Sequence, residues 1–278
     1  MKMFFNPLPI SPPKVDRSSL KKKLDIIEQL LRGKRVIVSF SGGVDSSAMG
    51  YLANQYAKEC LLVLVDSPTL ASGERDLASK IANQIGAELL ITYFDELSNP
   101  NFSSNPKNRC FYCKQDLSSI LLRIMHEKKF DLIVDGSNFS DLTDDRPGME
   151  AMHSAGVLSP FVEAKITKEE IRFIAYEANL LNWNKPSMPC LSSRIITGNK
   201  ITYEKLRRVD RAEQFLRKKF GIPVVRVRDR FGIAYIQVSP NNVSQLFEEN
   251  TKKQIDEFMH SIGFKGVQID PKGYTREN

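Results

Sequence analysis

Cysteine and histidine are scarce in this sequence, with four and three copies in 278 residues. Four cysteines in a chain of this length do not make a disulfide scaffold. His126 and His260 fall near the ends of predicted helices and His153 in a loop, away from any CxxH or HxxxH spacing. No zinc motif that relies on histidine is therefore spelled out. Long apolar runs are missing too. Residues 1–14 contain Phe4 and Phe5 but are interrupted by Pro7, Pro9, Pro12 and Pro13, which suits neither a signal peptide nor an anchor. No later stretch approaches the length of a membrane span, so a soluble, cytoplasmic protein with no membrane partner is expected. Internal repeats are absent, as is low complexity beyond the proline-rich start.

What is present is apolar content of 41%, ample for a packed core in one large or two modest domains. The most informative segment is Ser41-Gly42-Gly43-Val44-Asp45-Ser46-Ser47. It follows the apolar run 36–40, which reads as a buried strand, and precedes 48–53, which reads as the first turns of a helix. Adjacent glycines let backbone approach phosphate oxygens, and the unpaired N–H groups of a helix start favour negative charge. The loop lacks the Gly-Lys-Ser/Thr of a Walker A sequence. A site of hydroxyls and N–H groups suits pyrophosphate as a leaving group, which points to cleavage of ATP between its α and β phosphates.

Strands alternate with amphipathic helices through the first two thirds. A helix is predicted over 18–31, strands over 61–65, 88–93 and 132–134, and helices over 73–85 and 114–127. Thr167 and Glu170 spell a capping box that opens another helix. This order predicts an α/β fold with a parallel, doubly wound sheet. Ligands bind such sheets at the C-terminal strand ends, where the 41–47 loop, Asp66-Ser67 and Asp135-Gly136 would meet. After Asn182-Trp183-Asn184-Lys185-Pro186 the order changes. A helix over 202–219, strands over 224–228 and 233–238, a helix over 241–260 and a strand near 267–269 read as a second, smaller α+β domain. The expected division is a proline-rich segment 1–17, a nucleotide-binding domain 18–185 and a smaller substrate or oligomerisation domain 186–278.

Charge follows this division. Residues 1–183 have a net charge of −1 and residues 184–278 a net charge of +8, which suggests an anionic ligand in the last third. Arg226 and Arg228 alternate along a predicted strand and so face one side, a spacing that suits a phosphate monoester, with Glu213 available to fix them by pairing. Cys110 and Cys113 sit three apart at a predicted helix start, and Cys190 lies in the linker between the proposed domains, while Cys60 abuts a core strand. Two cysteines plus one are compatible with an iron–sulfur cluster leaving one iron free of protein ligands, with a zinc site, or with a redox pair plus a lone thiolate.

The loop resembles the PP-loop of the ATP pyrophosphatases, whose sheet is adenine nucleotide α-hydrolase-like. Over nearly the whole chain after residue 20, the sequence resembles the LarE family of ATP-dependent sulfur transferases of nickel-pincer nucleotide biosynthesis. The matching segments are SGGVDSS at 41–47, Asp135-Gly136, Asp145-Arg146-Pro147-Gly148, Trp183-Asn184-Lys185-Pro186, Pro189-Cys190-Leu191-Ser192-Ser193-Arg194 and Val225-Arg226-Val227-Arg228. The resemblance implies adenylation of a carboxylate of pyridinium-3,5-biscarboxylic acid mononucleotide, release of pyrophosphate, and replacement of the adenylate by sulfur. It implies ATP at Ser41, Gly42, Gly43, Asp45 and Ser46, with Ser67 and Gly136 nearby and Mg²⁺ near Asp45. In one group of the family a single cysteine matching Cys190 gives up its own sulfur. In another, three cysteines hold a [4Fe-4S] cluster, and Cys110, Cys113 and Cys190 match that group. Arg194 would hold the cluster-side sulfide or the substrate carboxylate. A sulfur donor system and a homo-oligomer are further implications.

Two departures stand out. The family often has Ala-Arg-Ile-Glu where this chain has Ala234-Tyr235-Ile236-Gln237, and the tail 273–276 lacks the usual continuation. Competing expectations are a tRNA thiolase of the same superfamily, disfavoured by the lack of a recognisable RNA-binding module, and a non-catalytic nucleotide-binding protein with structural zinc. Residues 99–107, rich in Asn, Ser and Pro, read as a mobile loop over the site.

Overall fold

The computed structural model describes residues 11–143 and 147–274. The first ten residues, Asp145 and Arg146 of the family-matching segment, and Thr275 and Arg276 of the tail lie outside the described residues. The chain opens with helix α1 (Arg17–Leu31), whose N-terminal Ser18 and Ser19 N–H groups are capped by the Asp16 carboxylate. Next come β1 (Arg35–Ser39), α2 (Val44–Tyr56), β2 (Glu59–Asp66), α3 (Glu74–Ile85) and β3 (Glu88–Tyr93). They are followed by α4 (Pro100–Ser103), α5 (Arg109–Lys128), β4 (Leu132–Val134), α6 (Pro147–Ser154), α7 (Pro160–Glu163) and α8 (Lys168–Glu177). The four strands form a parallel sheet in the order β3-β2-β1-β4. This is the α/β arrangement expected from the alternating pattern.

Both faces of the sheet are covered, because its strands are apolar at successive positions. Val36, Val38, Leu62, Leu64 and Val134 pack with residues of α1, α2, α3 and α8. Ile37, Leu61, Val63 and Ile133 pack on the other face with Ile120, Leu121 and Ile124 of α5 and Met152 of α6. Helix α3 is punctuated at both ends by left-handed glycines, Gly73 and Gly86. Helix α8 carries the expected capping box between Thr167 and Glu170.

A second layer follows residue 190: α9 (Tyr203–Phe220), β5 (Val225–Arg230), β6 (Ile233–Val238), α10 (Val243–Phe247), α11 (Glu249–Ser261) and β7 (Gly266–Ile269). β5 and β6 form the expected antiparallel hairpin, turned by Phe231 and Gly232 with φ of 53° and 92°. Two successive positive φ values give the turn a twist that matches the strands. β7 adds parallel to β6, making a small mixed sheet. The predicted helix over 241–260 is two helices, broken at Glu248. Among the described residues no helix is long and apolar enough to cross a membrane.

Two further sequence expectations differ from the structure. Helix α5 begins at Arg109, so Cys110 and Cys113 lie inside its first turns and not ahead of it. Residues 99–107 are not a loose loop. They contain α4, and Phe102, Ser103 and Asn105 are buried. Phe102 joins the second core, among Leu191, Ile195, Ile201 and Leu206. Removing its ring leaves a cavity that the surrounding side chains can refill only in part. Phe102→Ala should therefore lower unfolding free energy by about 3–5 kcal/mol in urea titration. A loss under about 1 kcal/mol would show that the site collapses freely.

Candidate active site

The 41–47 loop joins β1 to α2 with Gly43 as the N-cap, which makes no side-chain cap of its own. The first N–H groups of α2 are therefore open to an anion. Gly42 has φ +71°, and a Cβ there would stand 2.9 Å from the Ala78 Cβ, so only glycine fits between the loop and α3. Ser46 Oγ accepts from the Ser41 N–H (3.1 Å), lies 3.1 Å from Ser41 Oγ and donates to the Gly43 carbonyl (3.2 Å). Asn182 braces the loop from outside, donating to the Gly42 carbonyl and to Ser47 Oγ at 2.9 Å each. Gly136 follows β4 so closely that a Cβ would sit 2.7 Å from the Ser46 nitrogen.

The loop is the junction of two cavity lobes. One, of about 330 Å³, is bounded by Ser41, Asp45, the end of β2 with Ser67, and residues 185–190. The other, of about 720 Å³, lies between the loop, Asp135-Gly136-Ser137 and Cys110. Cys113 and Cys190 line the smaller lobe and Cys110 the larger, while Leu117 and Pro189 line both. All three thiols are free, with Cys110 and Cys190 exposed and Cys113 half-buried. Burial, with a smaller contribution from Cys190, pushes the Cys113 thiol up to about 12. Among the described residues no group of His, Cys, Asp and Glu side chains converges as a single metal ion requires. Cys113 lies close enough to Cys190 and Cys110 to feel both electrostatically, and three thiols are the donor type that an iron–sulfur cluster takes. Cys60 is buried in the first core, as its place in the sequence suggests.

Charge in the smaller lobe is organised in pairs that the sequence did not reveal. Lys168, at the start of α8, pairs with Asp45, and Lys185, 5% exposed, pairs with Glu74 at 2.5 Å. Glu96, also buried, accepts a hydrogen bond from Thr69 Oγ1 at 2.7 Å. Its partners are remote in sequence, so no local spacing betrays it. Burial raises the Glu96 carboxyl above its ordinary value.

Arg194 and Glu213 take different parts from those expected. Arg194 is 1% exposed, bonds Glu213 at 2.8 and 3.3 Å, and donates to the carbonyls of Pro189 (2.6 Å) and Cys190 (3.3 Å). These bonds hold the Cys190 segment in place. Glu213 pairs with Arg194 and Arg217 and accepts the Val227 N–H, where pairing with Arg226 and Arg228 was anticipated. Arg226 reaches the Ser187 carbonyl and Arg228 the Ser193 carbonyl. Three arginines thus grip the stretch that carries Cys190 from below. Arg226 and Arg228 open on different pockets. Arg226 lines one of about 470 Å³ with Lys185 and Tyr274, and Arg228 one of about 760 Å³ with Arg230 and Asp270. Gln237, at a departure from the family pattern, accepts from Arg228 (2.8 Å) and donates to Asp270 (2.9 Å).

Asn105 connects the two cysteine-bearing segments. Its φ is +61°, a region that Asn tolerates better than most residues. Its side-chain amide donates to the carbonyls of Ile195, Ile196 and Asn199 at 3.3, 2.8 and 2.9 Å, and its main-chain carbonyl accepts the Gly198 N–H. It lies five residues before Cys110, and Ile195 five after Cys190.

A parallel sheet with an SGGxDS loop opening a helix at its C-terminal edge defines a nucleotide-binding protein of the PP-loop ATP pyrophosphatase class. No family model matches the chain, but whole-length relatives do. An uncharacterised protein of Synechocystis is 35% identical over 257 residues, 92% of this chain and 96% of its own. The pyridinium-3,5-bisthiocarboxylic acid mononucleotide synthase of Lactiplantibacillus plantarum is 31% identical over 255 residues, 91% of each chain. A tRNA-specific 2-thiouridylase of Geobacillus kaustophilus is 30% identical over 192 residues, 56% of this chain and 51% of its own. The chain belongs to the LarE-like family of PP-loop ATP pyrophosphatases, and membership implies the use of ATP.

Burial alone would raise the Glu213 carboxyl, but the charges and hydrogen bonds of Arg194 and Arg217 outweigh it, and the group lies below its ordinary value of 4.5. A depressed carboxyl contributes stability above its unfolded pKa and loses it as pH falls towards the folded one. The melting temperature should therefore drop on acidification below about pH 4.5. Glu213→Gln should flatten that drop and lower stability by about 3–5 kcal/mol at neutral pH, because two arginines lose their counter-charge. Scanning calorimetry of both proteins across the acid range checks this, and parallel curves would exclude Glu213 as the source.

Proposed function

We propose that the protein is an ATP-dependent sulfur transferase that adenylates a carboxylate of pyridinium-3,5-biscarboxylic acid mononucleotide and inserts sulfur, as part of nickel-pincer nucleotide biosynthesis. The observation that carries this reading is that three thiols open on the cavity that contains the phosphate loop. Energy from ATP and a place for sulfur are thereby joined in one space. The name of the Lactiplantibacillus relative supports the pyridinium substrate.

A carboxylate resists sulfur until its oxygen becomes a good leaving group, and adenylation provides that. In this reading Ser41, Gly42, Gly43 and Ser46 cradle the departing pyrophosphate with N–H groups and hydroxyls fixed before the reaction. Lys168 brings positive charge to the same end, Ser67 and Gly136 border the nucleotide, and Asp45 would hold a Mg²⁺. Leu117 and Pro189, at the junction of the lobes, keep water from the acyl adenylate. Cys110, Cys113 and Cys190 would hold a [4Fe-4S] cluster, which when bound supplies an exchangeable sulfide. Arg194 keeps Cys190 at the cavity wall through the carbonyls of residues 189 and 190. Arg228, in the basin of residues 186–278, would take the substrate phosphate, with Arg226 steadying the Cys190 segment beside it. A sulfur donor system and a homo-oligomer complete the proposal.

Two measurements test it. Pyrophosphate release should require both ATP and the pyridinium substrate, and Ser46→Ala should slow it by about a hundredfold. After anaerobic purification, wild type should contain iron and labile sulfide, and Cys110→Ala and Cys190→Ala should both lose iron. Iron retained in either variant contradicts the three-cysteine site. Salt-sensitive tRNA binding with no turnover of the pyridinium nucleotide would instead favour the tRNA thiolase reading.

A further inference from the structure

The smaller lobe contains three carboxyl groups, and two of them already have a cation. Asp45 is held by Lys168 and Glu74 by Lys185. The third, Glu96, is 5% exposed and has no cation beside it among the described residues. Its Oε1 accepts from Thr69 Oγ1 and Ser67 also lies within reach of the carboxyl, while its Oε2 is buried and makes no well-formed hydrogen bond among the described residues. Thr69 fixes this carboxyl beside the sulfur-bearing segment, since the Thr69 carbonyl accepts the N–H of Leu191, the residue after Cys190. Phe94, Leu117 and Ile120 give the lobe apolar walls as well.

A buried carboxylate without a counter-charge is costly, and so is a carboxyl oxygen without a partner. Such a group persists at little advantage to the fold, and a ligand that brings positive charge removes both costs at once. Apolar walls strengthen that attraction by excluding water, and the lobe's volume of about 330 Å³ suits a small ring with substituents. The lysines of the lobe are already committed to Asp45 and Glu74, so the protein itself supplies no cation for Glu96 among the described residues.

We propose that Glu96, held in place by Thr69 at the wall of the lobe, is the anchor whose negative charge attracts a positively charged heteroaromatic ring beside Cys113 and Cys190. This rests on the sulfur-transferase reading and adds to it the group that distinguishes a pyridinium ring from a neutral pyridine. The ring charge is left for Glu96. No sequence motif marks the residue, because its role depends on Thr69, 27 positions earlier.

The test uses the full chain, purified anaerobically, with two probes that differ in ring charge and one methyl group: 1-methylpyridinium-3,5-dicarboxylate and pyridine-3,5-dicarboxylate. By titration calorimetry wild type should prefer the cationic ring by about tenfold or more. Glu96→Gln, which keeps the shape and removes the charge, should bring the two affinities within about twofold. Thr69→Val, which leaves the charge but frees the side chain, should give an intermediate preference and supplies the answer if the first variant fails to fold. Equal binding of both rings by wild type overturns the anchor, as does an undiminished preference in Glu96→Gln. Binding of neither ring by wild type overturns the sulfur-transferase reading itself.

Discussion

Everything on the far side of the cavity depends on one buried carboxylate. Glu213 sits inside α9, entirely enclosed, and holds Arg194, Arg217 and the Val227 N–H together. Through Arg194 it reaches the carbonyls on which Cys190 hangs, and through Val227 it fixes strand β5. A charge so deeply buried is tolerated only when matched this completely. The consequence is a cysteine at the cavity wall whose backbone is anchored from below while its sulfur remains exposed.

The opposite wall is anchored differently. Here α5 brings Cys110 and Cys113 in on its first turns, and α5 itself is set against the parallel sheet by Ile120, Leu121 and Ile124. Asn105 closes the gap, with three hydrogen bonds from one amide to the backbone beyond Cys190. The phosphate loop, positioned by the sheet, faces both walls. Rigid sheet, buried ion cluster and amide bridge are three independent devices, and the cavity is the space left between them.

Much of this was legible in the sequence, for physical reasons that can be named. The strands over 88–93, 132–134 and 233–238 were bounded correctly because their neighbours are turn-formers or changes of period. The loop at 41–47 was legible because its chemistry is local, a strand, two glycines and a helix start. The segment 99–107 was misread because polar composition resembles a loop, and nothing in it announces that Phe102 has a second core to enter. Lys168, Lys185, Glu96 and Asn105 were missed since each acts on a residue from a distant part of the chain. Arg194 and Glu213 were named from the sequence but pair with each other, because residue type and spacing give the side a residue faces and not the group it meets.

The position of Phe102 makes the boundary near residue 185 a topological convenience and not a seam. The ring comes from the connection between β3 and α5 and is buried among Leu191, Ile195, Ile201 and Leu206. A chain cut there would leave one fragment with an apolar ring in water and the other with a hole where that ring belongs. The two layers share a keystone, so evolution cannot trade the smaller one for another module without also rewriting a helix of the first.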